Sequence, residues 1–158
     1  AVDSDLLLIL NFRITDWKRN DCLFFKVLLK PFKLLGIVFA DKGYLSRANF
    51  KLAYDKKGCA FIPFKKRNTK KSKGSPAWKF AFNLYKKCNW IYMNIYHQRS
   101  KIEAVNSAVK KRYGDNFKCK RKTMRRKEVA LRFIAYNTII ILCYNYSLKH
   151  NLPLYVRA

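Results

Sequence analysis

Acidic residues are scarce in this chain of 158 residues: Asp and Glu number 9 against 35 Lys and Arg, and glutamate occurs only as Glu103 and Glu128. The formal charge of +26 favours polyanions as partners, nucleic acid first and an anionic membrane surface second. A merely basic soluble surface would spread its cations, whereas these are clustered. Histidine is scarcer still. His97 and His150 stand at no zinc-ligand spacing to Cys22, Cys59, Cys88, Cys119 or Cys143, and no C-x-x-C pair exists, which argues against a zinc site. The thiols read as reduced, core-filling residues of a cytosolic protein. Long hydrophobic runs are missing too. Ile139–Cys143 falls far short of the ~20 residues of a membrane span, with Arg132 and Asn137 interrupting its approach, so neither a span nor a signal peptide is expected. No initiator Met, internal repeat or domain linker is present.

What is present is enough apolar material, 50% of residues, for one domain with a real core. Asp3-Ser4-Asp5 has turn chemistry and leads into Leu6–Thr15, an apolar run compatible with a strand. Asp21 caps an expected helix through Leu29, stopped by Pro31. Leu34–Ala40 reads as a buried strand ending at Asp41, Ser46 caps a helix through about Lys57 with Gly58 as its stop, and Cys59–Phe64 reads as another buried strand. Lys65–Pro76 is dense in cations and turn formers and reads as an exposed basic loop. Ala77–Asn94, rich in aromatics, has no clear assignment. A helix then runs to about Arg112, and a second basic tract, Lys118–Lys127, precedes the longest helical pattern, about Arg126 to Lys149, closed by Pro153. Strands alternating with helices predict a mixed α/β layer.

One helix carries the sharpest pattern. Tyr96, Arg99, Glu103 and Lys110 follow at steps of three, four and seven residues. At about 100° per residue these steps hold all four on one narrow stripe, opposite Ile102, Val105 and Val109. One carboxylate thus sits between two cations on an exposed face. Asp41 follows a buried strand, at the sheet edge where α/β proteins place ligand groups. Two carboxylates in a basic cleft repel unless a cation lies between them. A few oxygen ligands suit Mg²⁺ or Mn²⁺, and metal-assisted phosphoryl transfer follows, with Arg99 and Lys110 holding the phosphate backbone. Each part also has a plainer reading. Asp41 fits a cap for the turn before Gly43, Glu103 a surface partner of Arg99, and the basic loop a solvated segment.

Taken together these residues resemble the DDE transposases of bacterial and archaeal insertion sequences. One large group of that family carries a Tyr-x2-Arg-x3-Glu-x6-Lys signature, which Tyr96, Arg99, Glu103 and Lys110 match without a gap. F-A-D-K-G-Y-L-S (Phe39–Ser46) resembles the strand and turn bearing the second catalytic Asp. F-R-I-T-D-W-K-R-N-D (Phe12–Asp21) is similar to the third strand and following helix start. R-Y-G-D-N-F (Arg112–Phe117) and E-V-A-L-R-F-I-A-Y-N (Glu128–Asn137) resemble the C-terminal portion.

The resemblance implies an α/β, RNase H-like fold: a five-stranded mixed sheet with flanking helices, here with its first strand missing. Three carboxylates then bind two Mg²⁺ or Mn²⁺ ions. Asp41 would be the second catalytic and metal-binding residue and Glu103 the third, with Tyr96, Arg99 and Lys110 contacting DNA. Lys65, Lys66 and Arg67 in one basic tract, and Lys120, Arg121 and Lys122 in the other, are assigned to phosphate contact. The implied reaction is cleavage and strand transfer at insertion-sequence ends, in a cytoplasmic, nucleoid-associated prokaryotic enzyme that works as a dimer on double-stranded DNA, away from membranes. The family's first catalytic Asp belongs on a strand ahead of Val2. The expectation is therefore a single, N-terminally truncated partial catalytic domain over 1–158, inactive alone. Its rivals are a decayed transposase remnant and a non-catalytic basic protein whose aromatics at 78–92 stack on single-stranded bases.

Overall fold

A computed structural model of the protein describes residues 1–15, 21–65 and 74–153. They fall into two compact units, Thr15–Arg99 and a second formed by Ala1–Ile14 with Ser100–Ala158.

In the Thr15–Arg99 unit, a 3₁₀ turn over Asp21–Phe24 runs into α1 (Phe25–Leu29), which stops before Pro31 because the ring cannot continue the helix. Strand β1 (Ile37–Phe39) pairs in parallel with β2 (Cys59–Phe61), with Val38 opposite Ala60, and α2 (Arg47–Asp55) makes the crossover. Ser46 caps α2 by accepting the Asn49 N–H at 3.1 Å. The helix ends where Lys57 turns left-handed, at φ 61°. Gly58 serves a different purpose from the stop expected of it. A Cβ there would stand 2.6 Å from the Leu35 Cβ and 2.8 Å from the Gly36 carbonyl, so β2 can begin beside β1 only without a side chain.

The stretch without a sequence assignment is two helices. Pro76 at the first turn and the Ser75 cap start α3 (Pro76–Lys87), Cys88 at φ −131° breaks the chain, and α4 (Asn89–Tyr96) follows. Phe50, Phe61, Ile62, Phe64, Trp78, Ala81 and Tyr92 form the core with Phe25 and Leu29. Each fully buried Phe or Ile side chain contributes about 1.5–3 kcal/mol. Phe64 sits at the centre, its ring 5.0 Å from Trp78 and 5.1 Å from Tyr85.

In the other unit, Val2 and Ile9 form one antiparallel bridge, and Leu6–Thr15 is not the regular strand its composition suggested. Leu7 adopts φ 58°, which bends the extended path, and the far side of Ile9 is closed by a side chain. The Asn137 amide accepts the Ile9 N–H at 2.9 Å and donates to its carbonyl at 2.8 Å, replacing a neighbouring strand. Helix α5 (Ser100–Tyr113) buries Val105 and Val109 against Tyr136 and Ile140 of α6 (Lys122–Lys149).

Several boundaries differ from the sequence reading. The two strands are three residues each, and β1 is not the buried strand expected, since Ile37 is exposed and Val38 and Phe39 are half-buried, while β2 buries Ala60 and Phe61. The sheet among the described residues is a two-stranded parallel pair in a mostly helical α/β structure. The motif helix is not continuous, because His97–Arg99 is a 3₁₀ turn between α4 and α5. The last helix starts at Lys122 rather than Arg126, placing the end of the basic tract inside its first turns. It reaches 28 residues, long and apolar enough by length and composition to cross a membrane, although the Ile139–Cys143 run alone is not.

Candidate nucleic-acid and metal site

Asp41 emerges two residues past the end of β1, as the apolar run before it predicted. Its Oδ1 accepts the Lys42 N–H at 2.7 Å and caps the 3₁₀ turn Lys42–Tyr44. The capping role and an exposed carboxylate coexist, because Oδ2 has no hydrogen bond among the described residues. Asp21 was read only as a helix cap, yet it borders the same turn. A Cβ on Gly43 would stand 3.1 Å from its Oδ2, so a bare glycine lets that carboxylate approach the turn after Asp41. The half-buried Tyr44 phenol titrates above its usual range, first through burial, then through the negative charge of Asp21 and Asp41. The sequence signal for Asp21 was weak, since twenty residues separate it from Asp41.

The four signature residues occupy different surroundings. Tyr96, at the end of α4, is buried rather than exposed, and the Arg99 guanidinium lies 5.7 Å from its ring centre. Glu103 lies on the exposed side of α5, while Val105 and Val109 are buried as the periodicity required. Ile102 is only half-buried. Lys110 is exposed and pairs with Asp115 at 3.0 Å. Asp115 was not foreseen as its partner, and the five-residue offset past the helix end matches no helical pairing rule.

Of the basic residues, Lys65, Lys120, Arg121 and Lys122 are exposed. Lys66 and Arg67, with most of the loop to Lys73, lie outside the described residues, as do residues 16–20 of the Phe12–Asp21 segment. The tract at 118–122 is held from behind. Glu128 accepts the Lys118 N–H at 3.2 Å and the Cys119 N–H at 3.1 Å, and it pairs with Arg132 at 2.6 Å. Arg132 donates to the Gly114 and Asn116 carbonyls at 2.6 and 2.7 Å. Sequence spacing signals only the i,i+4 pair.

Both Glu128 oxygens are engaged, and its charge is matched by Arg132, so it does not suit a metal ligand. Asp41 offers an exposed hard oxygen of the kind that Mg²⁺ or Mn²⁺ takes, and Glu103 presents an exposed carboxylate. Among the described residues no group of three His, Cys, Asp or Glu side chains is gathered as a metal cage. The thiols do not fill the core as expected: Cys22, Cys59, Cys88 and Cys119 are half-buried and Cys143 is exposed. Of the aromatics at 78–92, Trp78 and Tyr92 are core residues and Phe82 and Tyr85 pack against that core. Phe80 and Trp90 remain exposed, which leaves little of a stacking platform.

No match was found among curated proteins or solved structures. A family model described as transposase DDE domain matches residues 1–138. By that match over most of its length, the chain belongs to the DDE transposase domain family.

Proposed function

We propose that the protein performs metal-dependent cleavage and strand transfer of DNA at the ends of an insertion sequence. The observation that carries this reading is the exposed Asp41 carboxylate at the end of β1, within a chain matched to the family over 1–138. In the first step water attacks a backbone phosphorus and a 3′-hydroxyl leaves. In the second, that hydroxyl attacks a target phosphodiester and displaces its 3′-oxygen. Both are in-line displacements, so one set of protein groups serves both.

Asp41 and Glu103 are the residues proposed to hold two Mg²⁺ or Mn²⁺ ions. When bound, such ions supply Lewis acidity toward the phosphoryl oxygens and lower the pKa of a coordinated water. Arg99 and Lys110 balance the phosphate charge, and Tyr96 orients Arg99 from below its guanidinium. Lys120, Arg121 and Lys122 give sequence-independent affinity for double-stranded DNA, and Lys65, Lys66 and Arg67 are proposed to do the same. By the family likeness an RNase H-like sheet and a further carboxylate belong to the catalytic domain, and two protomers meet on DNA. A prokaryotic cytoplasm fits the reduced thiols.

The test is nicking of a labelled duplex carrying an element end by the protein. Nicking requires Mg²⁺ or Mn²⁺ and falls by about 100-fold or more in Glu103→Gln, as expected when a group serving a metal site is lost. Full activity in Glu103→Gln overturns the assignment.

A further inference from the structure

The basic tract begins in a segment with no regular structure of its own, Gly114–Arg121, between α5 and α6. Such a segment leaves its backbone polar groups to find partners and its cations free to move apart. Two side chains of α6 prevent this. Glu128 takes the N–H groups of Lys118 and Cys119, while Arg132 takes the carbonyls of Gly114 and Asn116 and lies 5.4 Å from the Phe117 ring centre. Arg125 adds a bond from its Nε to the Cys119 carbonyl at 2.9 Å. The Glu128 and Arg132 side chains are themselves only 16% and 13% exposed, so both are held close to the segment they bind. Helix α6 meanwhile starts with Lys122, Arg125, Arg126 and Lys127 in its first two turns, against the preference of a helix N-terminus for negative charge.

We propose that Glu128 and Arg132 are positioning residues for DNA binding, folding Gly114–Cys119 against α6 so that Lys118, Lys120, Arg121 and Lys122 form one phosphate-binding cluster. The inference rests on the reading of that tract as a DNA contact. It carries an unusual sign. Removing the Glu128 carboxylate raises the formal charge above +26, so long-range attraction alone would tighten DNA binding. Loss of positioning weakens it instead.

The experiment measures affinity of the whole chain for a generic duplex as a function of salt. In Glu128→Gln, binding at physiological salt weakens about tenfold, and the slope of log K against log salt becomes shallower by about 2, the loss of two phosphate contacts. Arg132→Lys keeps the charge but loses the two-pronged donor and shows the same direction of change. A triple change of Lys118, Lys120 and Arg121 to Gln separates the two levels of the claim. If it leaves the slope unchanged, the tract is not a DNA contact and the underlying reading fails. If the triple variant flattens the slope while Glu128→Gln tightens binding or leaves it unaltered, the positioning role alone is overturned. A folding defect does not blur the outcome, because amide exchange in the unaltered protein is also decisive. The clasp requires slowed exchange at Lys118 and Cys119, and unprotected rates at both contradict it.

Discussion

The Tyr92 hydroxyl holds both backbone groups of Ile62, accepting its N–H and donating to its carbonyl, each at 2.9 Å. Ile62 follows β2 directly and is fully buried, so these groups have no water to turn to. One phenol therefore closes the outer side of the sheet where a further strand would otherwise be needed. Burial first, set against the hydrogen bond to Ile62, pushes its pKa well above the usual range and keeps it neutral. Tyr92→Phe keeps the ring in the core but strands the Ile62 N–H and carbonyl. Urea unfolding should show a loss of about 2–4 kcal/mol, the cost of one or two buried unsatisfied groups. A loss under about 0.5 kcal/mol, the range of an ordinary surface change, contradicts this role.

Glu128 makes one region sensitive to acid. The Lys118 N–H is the largest influence holding its carboxyl down to about 2 from the usual 4.5, with the Cys119 N–H and Arg132 assisting against burial. The folded pKa lies below the unfolded one, so the stabilisation is fully present above 4.5 and is lost as pH falls toward 2. The difference in thermal stability between wild type and Glu128→Gln should shrink across that window. A difference that stays constant from pH 5.5 to about 2 excludes the depressed pKa.

Asp115 restrains Lys110. Their pair is exposed on both sides, and such pairs are worth up to about 1 kcal/mol. If Lys110 contacts phosphate, Asp115→Asn frees it and removes a repelling charge. DNA binding at low salt should tighten by about two- to fivefold, with the gain fading as salt rises. An equal gain in a Lys110→Gln background would show that Asp115 acts through overall charge and not through Lys110.

Parts of this arrangement were legible in the sequence for identifiable reasons. The continuous apolar run before Asp41 located β1 and the carboxylate after it, although the run misled on burial, since Ile37 is exposed. Val105 and Val109 gave the buried side of α5 through their four-residue spacing. The break at His97–Arg99 was hidden because a 3₁₀ turn and an α-helix share the three-residue step that links Tyr96 to Arg99. Cys88 gave no warning of the division between α3 and α4, being neither glycine nor proline. The Glu128 clasp was invisible for another reason. Its partners are backbone N–H groups nine and ten residues earlier, which carry no side-chain signature. Asn137 misled most directly: read as a polar interruption, it is the residue that closes Ile9.

Divalent cations held by Asp41 and Glu103 are detectable by iron-directed cleavage of the polypeptide, independently of enzymatic turnover. Fe²⁺ taken up in place of Mg²⁺, with ascorbate and peroxide, generates radicals that cut the backbone close to the bound ion. Cuts are expected near Asp41 and near Glu103, suppressed by excess Mg²⁺ and weakened at both positions in Asp41→Asn and in Glu103→Gln alike. Cuts at neither position, or cuts there that persist in the variants and ignore Mg²⁺, would contradict it.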